Sequence, residues 1–393
     1  MSAENSARDH DIVVFGATGF TGELTAAYLA EHAPEGLRWA LAGRNREKLE
    51  AVRTRLANID PALANLPLIQ ADSSDDASLR AVAESTRVVI TTVGPYLRYG
   101  EPLVAACATA GTDYVDLTGE PEFVDRMYLE HHDQAVASGA RIVHACGFDS
   151  IPHDLGAWFT VQQLGSTDPI KLRGVVRAGA QPSGGTFHSA LDSFSRAKQM
   201  RDAMVARRKK EGRPEGRKAR AVAGKPHRDS TLGLWLLPLP TIDPFVVARS
   251  GAALESYGPD FRYSHYAGVK SLPYTVGGVA AVSGLVVAAQ IKPVRNFLKN
   301  RVKQGDGPSE KRREKSWFTV DFIGESAGKT VHTRVAGGDP GYTETAKMLA
   351  ESALCLALDD NPRTAGQVTP VTAMAENLLP RLQAAGMKFE TVA

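Results

Sequence analysis

The chain has few cysteines and little net charge. Its 393 residues include three cysteines, Cys107, Cys146 and Cys355, and this odd number at wide spacing provides neither a disulfide framework nor a paired-cysteine zinc motif. The formal net charge is +2, which gives no general attraction to nucleic acid. The first ten residues are polar and contain no apolar signal region. We therefore expect a cytoplasmic protein without a metal site and without a nucleic-acid partner.

The length favours two folded units, because a chain of this size exceeds one typical core. Short apolar runs alternate with helical patterns through the first third, which predicts an α/β fold with a Rossmann-type doubly wound parallel sheet over 1–155. The pattern then changes, and 156–340 is predicted as an α+β domain with a mostly antiparallel sheet. Helices over 341–393 are expected to return to the first domain.

A glycine-rich turn follows the first predicted strand, Asp11–Phe15, and precedes a predicted helix. This strand–turn–helix context is the one that a dinucleotide-binding fingerprint requires, although the spacing is GxxGxxG. The helix N-terminus then favours a diphosphate through its partial positive charge and free N–H groups. The predicted cofactor contacts in this turn are Gly16, Ala17, Thr18, Gly19, Phe20, Thr21 and Gly22.

The residues after the second strand distinguish the two nicotinamide dinucleotides. An acidic residue there would bind the ribose 2′-hydroxyl of NAD, whereas a nearby Arg accommodates the 2′-phosphate of NADP. Here Arg44 follows the strand and no acid precedes Glu47, so NADP is favoured over NAD. Arg44 as a solvated loop charge is the alternative. Asp72, after the third strand, is predicted to contact the adenine or to cap the next helix.

Ligands bind at the carboxyl ends of parallel strands, and two further sequence segments lie at such ends. Gly94, Pro95 and Tyr96 follow the fourth strand, where the nicotinamide half of the cofactor should pass. Asp149 and His153 follow the sixth strand. Tyr96, His153 and Asp149 are therefore the candidate catalytic residues. Tyr96 as a packed aromatic and His153 as a helix-start residue are the alternatives.

Two stretches of the second domain have unusual composition. The insert 196–228 contains 13 Lys or Arg against three acids, and we expect an exposed, mobile segment. The segment 271–291 contains no charged residue, and basic residues follow it. A buried or interface helix and a membrane-dipping or membrane-surface helix both agree with this segment.

Several short segments of the sequence resemble segments of the saccharopine dehydrogenase-like oxidoreductases. They are Gly94-Pro95-Tyr96 with Gly100, the run from Gly111 to Glu120, and the run from Ala145 to Pro152. Within this group the chain is most similar to the mycobacterial trans-acting enoyl reductases. The resemblance extends to Phe261-Arg262-Tyr263-Ser264 and to the ending Thr369–Met374, and so covers most of the chain.

The resemblance implies a Rossmann domain that uses NAD(P)H, with Gly16, Gly19 and Gly22 as cofactor contacts. The loop from Gly94 to Tyr96 carries over as the wall of the nicotinamide site. The implied reaction is reduction of a carbon–carbon double bond in a polyketide-derived lipid, and the partners are an acyl-thioester substrate and a polyketide synthase carrier domain. The resemblance identifies no catalytic acid.

Alternative functions stay open at this point. An amino-acid oxidoreductase of the saccharopine reductase type would need converging Arg residues, for which Arg173 and Arg177 are candidates. A non-catalytic nucleotide-binding protein at a membrane or lipid droplet is the third hypothesis, because a fold does not prove an activity. An exposed apolar surface at 271–291 would suit a homodimer or peripheral contact with the inner face of the cell membrane.

Overall fold

The computed structural model describes residues 8–180, 184–301 and 307–392. Within these ranges, the side chains at 185, 186, 275, 276, 279 and 282 are not described. The first seven residues of the predicted Rossmann domain and the last residue of the predicted C-terminal segment therefore lie outside the described residues.

Seven parallel strands form the first sheet, as the alternating pattern predicts. Their order across the sheet is β14-β6-β5-β4-β1-β2-β3, and every pairing is parallel. The strands are β1 (His10–Phe15), β2 (Trp39–Gly43), β3 (Leu68–Gln70), β4 (Thr86–Thr91), β5 (Asp113–Asp116), β6 (Arg141–Val143) and β14 (Gly366–Val368).

Helices cover both faces of this sheet, because successive strand residues point to opposite sides. Ile12 and Val14 belong to one core, and Val13 and Phe15 belong to another. Such two-sided burial explains why these strands are continuously apolar. The helices that follow the first five strands are α1 (Phe20–His32), α2 (Arg46–Ala57), α3 (Asp76–Ser85), α4 (Tyr96–Tyr99), α5 (Glu101–Ala110) and α6 (Pro121–Ser138).

The second sheet is mixed and mostly antiparallel. Its order is β15-β13-β12-β7-β11-β10-β9, with β8 paired to β11. Strand β11 runs parallel to β7 and β8, and all other pairings in this sheet are antiparallel. Together the two sheets confirm the predicted fold class. The strands are β7 (Ile170–Ala178), β8 (Lys218–Ala221), β9 (His227–Asp229), β10 (Leu234–Pro238), β11 (Asp260–Val269), β12 (Phe318–Ser326), β13 (Lys329–Gly337) and β15 (Lys388–Thr391).

The remaining helices cover the second sheet and connect the two units. Helix α7 packs on β12 and β13, and α10 packs on β11. These helices are α7 (Ile151–Leu164), α8 (Gly184–Ser195), α9 (Ala197–Glu211), α10 (Asp243–Ala253), α11 (Leu272–Gln290), α12 (Lys292–Arg301), α13 (Glu310–Arg313), α14 (Thr343–Leu358) and α15 (Pro370–Ala384).

The C-terminal segment contributes to both units. Helix α14 packs against α1 and against strands β4 and β5 of the first sheet, and β14 extends that sheet beside β6. Strand β15, in contrast, pairs with β13 of the second sheet. The segment therefore does more than return to the first domain.

The basic insert 196–228 contains a helix and two strands, and most of its residues are exposed, as expected. Helix α9 packs along α6, and β8 and β9 join the second sheet. Arg207 is 3% exposed, lies 3.3 Å from Asp125, and stacks 4.2 Å from the ring centre of Tyr128. Asp125 and the aromatic ring that accommodate this cation lie on α6, so the charge run alone does not reveal the packing.

The apolar segment 271–291 forms α11, and much of the helix is at the surface. It packs on α8 and β10, yet Tyr274 is 76% exposed and Val287 is 61% exposed. The partial exposure agrees with an interface helix or a membrane-surface helix and not with a fully buried one. Among the described residues, no helix combines the length and the apolar character needed to cross a bilayer.

Candidate active site

A cavity of about 900 Å³ lies between the two units. One wall consists of the turn before α1 and the residues that follow β4, β5 and β6, which is where parallel sheets bind ligands. The opposite wall comes from α8, α9 and α11. Among the described residues, the lining contains two carboxyl side chains, Glu120 and Asp149, and no Lys, Arg or His.

The glycine turn is built by close backbone approach. Gly16 has φ of +88°, which favours glycine, and a Cβ on Gly22 would lie 2.2 Å from the Gly16 carbonyl oxygen. Gly19 differs, because its Cβ would meet only the Gly16 oxygen at 3.4 Å. Gly19 borders the cavity, so the space beside it is available to a ligand. The first N–H groups of α1 lack partners within the helix, and the turn therefore fits a diphosphate.

The other predicted contacts of the turn divide into two groups. Phe20, Thr21 and Gly22 line the cavity with Gly19. Ala17 is fully buried in the core, and neither Ala17 nor Thr18 is part of the lining. We therefore expect Ala17 to contribute to binding only through its backbone.

Arg44 and Asp72 follow the neighbouring strands β2 and β3, at the adenosine end of a bound dinucleotide. The Arg44 side chain is 75% exposed, and its Nε lies 4.0 Å from Asp72 Oδ2. Asp72 accepts hydrogen bonds from Ser74 N and Oγ at 2.9 and 2.8 Å, which lowers the pKa of the carboxyl group. The Arg44 guanidinium is thus accessible to a 2′-phosphate.

Glu120 fixes the loop that follows β4 and is a residue that the sequence analysis did not select. Its carboxylate accepts hydrogen bonds from Tyr96 N at 3.1 Å and Leu97 N at 2.8 Å. Ser189 Oγ of α8 donates to the same carboxylate at 3.1 Å. Burial raises the pKa of Glu120, although these donors oppose the shift. The side chain links α8 to the Gly94–Tyr96 loop, and both line the cavity.

The Tyr96 hydroxyl is already engaged with the backbone. It donates to Thr91 O at 3.1 Å and accepts from Leu117 N at 3.4 Å. Tyr96 is 4% exposed, and its burial raises the pKa of the phenol. The ring lines the cavity while the hydroxyl holds two strand ends together, which agrees with the packed-aromatic alternative and argues against a role as proton donor.

Asp149 presents a carboxyl group to the cavity. A Cβ on Gly119 would lie 2.6 Å from Asp149 Oδ2, so glycine at 119 leaves room for this group. Burial, followed by the negative charge of Asp243, raises the pKa of Asp149 to about 7, against the opposing charge of His153. A carboxyl group with this pKa carries a proton at neutral pH for part of the time and can donate it.

His153 lies behind the cavity wall, which corrects its selection as a residue that contacts substrate. It is 2% exposed and absent from the lining. Its Nδ1 lies 2.7 Å from Asp243 Oδ1, and His265 Nε2 lies 3.9 Å from Asp243 Oδ2. Tyr263 Oη and His265 Nδ1 are 3.0 Å apart. No local sequence pattern marks Asp243 or His265 as site residues, because other elements bring them to His153.

Two groups of described residues have donor atoms close enough to hold a metal ion. One is the buried set His153, Asp243 and His265, and the other is Glu101, Glu130 and His131 near the surface. In the buried set, burial lowers the pKa of His265 to about 4, so this ring is neutral at pH 7. His153 Nδ1 and Asp243 Oδ1 lie at ion-pair distance, but among the described residues neither of these atoms, nor His153 Nε2, has a hydrogen-bond partner.

The far end of the cavity is apolar. Helices α8 and α9 contribute Phe194 and Met200, and α11 contributes Val286. Ile242 adds a further aliphatic side chain at the start of α10. This end suits a hydrocarbon chain rather than a charged group.

The comparisons with known proteins agree with this site. Residues 12–143 match the family model described as the saccharopine dehydrogenase NADP binding domain. The solved structure of saccharopine dehydrogenase (L-Glu forming) from Saccharomyces cerevisiae is similar in fold, with a TM-score of 0.58 and 12% identity over 98% of this chain and all of that chain. The predicted NADP-binding unit is thereby confirmed.

Curated relatives match almost the whole chain. A trans-acting enoyl reductase of Mycobacterium tuberculosis is 38% identical, and one of Mycobacterium leprae is 37% identical, each over 98% of both sequences. The predicted resemblance is confirmed at full length. The chain belongs to the trans-acting enoyl reductase family, whose N-terminal unit here is a saccharopine dehydrogenase-type NADP-binding domain.

Proposed function

We propose that the protein is an NADPH-dependent trans-acting enoyl reductase that reduces an α,β-unsaturated thioester in a polyketide-derived lipid. The observation that carries this proposal is the cavity lining, which is apolar, contains no described basic residue, and presents the Asp149 carboxyl group near the cofactor turn. Family membership supports the reaction class.

The glycine turn and the strand ends are the parts of the chain that would hold the cofactor. Gly19 and the N–H groups of α1 would bind the diphosphate, and Arg44 the 2′-phosphate. The loop from Gly94 to Tyr96, held by Glu120, would form the wall beside the nicotinamide. When bound, NADPH supplies the hydride that adds to the carbon β to the thioester.

Asp149 supplies the proton. Hydride addition leaves negative charge on the thioester enolate, and the α-carbon then takes a proton to complete the saturated product. The neutral Asp149 carboxyl group gives up this proton and becomes a carboxylate. Reprotonation from solvent restores the acid, and the pKa of about 7 allows this near neutral pH.

The cavity argues against an amino-acid substrate. A saccharopine-type substrate carries several carboxylates and needs cations that face it. Arg173 instead pairs with Asp229 and Glu325 at 2.8 and 2.7 Å, and Arg177 stacks on Trp317. Neither Arg borders the cavity, so the amino-acid alternative lacks the residues it requires.

A direct assay tests the function. Purified protein is mixed with NADPH and enoyl thioesters of increasing chain length, and NADPH consumption is followed together with product mass. We expect saturation of the double bond, with a preference for longer chains because the far end of the cavity is apolar. Consumption of NADPH only with amino-acid substrates, or binding of NADPH without any reduction, would support the two alternatives instead.

We further propose that a carrier domain delivers the substrate to α9. Ala197 and Met200 of this helix line the cavity, and the same helix carries four exposed cations without ion pairs in the described structure: Lys198, Arg201, Arg208 and Lys209. Complementary charge mainly raises the encounter rate and is screened by salt. An acidic carrier surface would therefore meet α9 beside the cavity.

Charge removal on α9 tests the carrier contact. Replacing Arg208 and Lys209 with Gln should lower the rate with carrier-bound substrate several-fold at low ionic strength and leave a soluble thioester unaffected. The matched control neutralises Lys225 and Arg228, which are exposed cations outside α9. Equal rates for the α9 variant and wild type across a salt series would refute the contact. Arg207 is unsuitable, because it is buried in ion pairs.

A further inference from the structure

We infer that α11 and α12 rest on an anionic bilayer, and that a lipid acyl chain enters the cavity at the wall that these helices form. The inference deepens the proposed function and rests on it for the identity of the chain. The apolar side chains that are exposed on these helices are called here the α11 patch. The patch comprises Leu272, Tyr274, Val287, Ile291, Val294 and Phe297, with exposed fractions of 47%, 76%, 61%, 48%, 38% and 56%.

Several exposed apolar side chains on two adjoining helices mark an interaction site rather than ordinary surface. The helices carry no acid, since residues 261–301 contain no Asp or Glu. Lys270 precedes α11, Lys292 begins α12, and Arg301 ends α12 over the Phe297 ring. Helix α12, with cations beside apolar side chains, has the composition of a helix that lies in the plane of a membrane interface, and the uncharged α11 adds exposed apolar side chains next to it.

The same helix separates the outside from the cavity. Val286 and Gln290 line the cavity, and their neighbours Val287 and Ile291 belong to the exposed patch. Gln290 Nε2 donates to the Phe194 carbonyl of α8 at 2.6 Å, which places the cavity wall at the contact of α8 and α11. One helix thickness therefore lies between a surface-bound lipid and the apolar end of the cavity.

A bilayer fits the α11 patch better than a second copy of the chain. A two-fold interface brings the same patch of both copies together, so the bordering cations would face one another. The helices offer no acid within 261–301 to compensate. Anionic lipid headgroups provide that compensation, and the acyl region accepts the apolar side chains.

Vesicle flotation tests the membrane contact. The full chain is mixed with phosphatidylglycerol vesicles or with purely zwitterionic vesicles and centrifuged through a density gradient. We expect flotation with the anionic vesicles and partial release at high salt, because the screening length shortens from about 10 Å at 0.1 M to about 3 Å at 1 M. Val287→Asp combined with Ile291→Asp should abolish flotation. The control Val136→Asp alters a valine of α6 that is 49% exposed and should float like wild type.

Two outcomes would overturn the inference. One is a wild-type protein that never floats, and the other is flotation that the double variant retains. A dimer in sedimentation that Val287→Asp dissociates, without any flotation of wild type, would assign the patch to a second copy instead.

A second variant tests the path of the acyl chain. Val286→Trp narrows the cavity at the wall formed by α11, so KM for a long-chain enoyl thioester should rise about tenfold, equivalent to about 1.4 kcal/mol, and should rise more than KM for a short thioester. Val136→Trp is the control. Unchanged KM for every chain length would refute the path. If the protein floats but reduces no thioester, the proposed function fails and the membrane contact stands. If it reduces thioesters but does not float, the membrane contact fails and the proposed function stands.

Discussion

Replacing Asp149 with Asn tests the proposed acid and keeps the size of the side chain. Burial and the charge of Asp243 raise the pKa of Asp149 from 3.8 to about 7, so the wild-type group holds a proton that Asn cannot donate as an acid. A positioned general acid contributes about 10²–10⁴-fold in rate. We expect kcat to fall by about this factor while NADPH binding, measured by calorimetry, stays unchanged.

The same substitution should alter stability with a defined dependence on pH. Below about pH 4 the carboxyl group is protonated in both the folded and the unfolded state. As pH rises from about 4 to 7, only the unfolded state loses its proton, so the free energy of unfolding of wild type falls. A shift of about three pKa units corresponds to about 4 kcal/mol. Asn removes this titration, and the variant should gain up to that amount relative to wild type between pH 4 and pH 8.

Asp154→Asn provides a matched control. Burial also raises the pKa of Asp154 to about 7, but its carboxylate accepts a hydrogen bond from Val371 N at 3.1 Å and does not line the cavity. Wild type and Asp154→Asn should lose activity about tenfold per pH unit above the pKa of Asp149. The residual activity of Asp149→Asn should not show this fall at high pH. Wild-type kcat and an unaltered pH profile in Asp149→Asn would refute the assignment.

Four further substitutions test the cofactor site. Arg44→Ala should weaken NADPH binding about tenfold or more and spare NADH, because a charge-assisted contact contributes about 1.5–3 kcal/mol; equal weakening in fluorescence titrations of both would contradict this. Gly19→Val should abolish NADPH binding with a native far-UV spectrum, whereas Gly22→Val should also unfold the turn, since its Cβ meets a backbone oxygen at 2.2 Å; normal calorimetric binding by Gly19→Val would show that the turn is only structural. Glu120→Gln places an amide donor against backbone donors and should destabilise the protein by about 1–3 kcal/mol and raise KM for NADPH; an unchanged melting temperature and KM would count against that role.

The first unit could be predicted almost completely from the sequence, because its signals are local. The first predicted strand, Asp11–Phe15, begins one residue after the start of the observed strand His10–Phe15. Strands buried on both faces are continuously apolar, and the helices between them begin and end at recognisable capping residues. Topology then follows from the handedness of parallel crossovers.

The chemistry of the site could be predicted only in part. The glycine turn and Arg44 act through positions adjacent in sequence, so their pattern is visible in the chain. The pKa of Asp149 depends on Asp243, which a different element of the second unit provides. The position of Glu120 after the fifth strand can be predicted from the sequence. Its hydrogen bonds with Tyr96 N and Ser189 Oγ can be known only from the folded structure. Residue type alone cannot distinguish such a positioning carboxylate from a surface acid.

The burial of Arg207 and the partial exposure of 271–291 could not be predicted from composition, and both have the same physical reason. Composition predicts how strongly a segment avoids or seeks water, whereas burial depends on whether the rest of the chain supplies a matching surface. Arg207 is buried because α6 offers Asp125 and the face of Tyr128. Helix α11 has the apolar content of a core helix, but α8 and β10 cover only one side of it. Helix α11 also forms part of the cavity wall, and this position, rather than hydrophobicity alone, is why we propose a lipid surface as the partner of its exposed side.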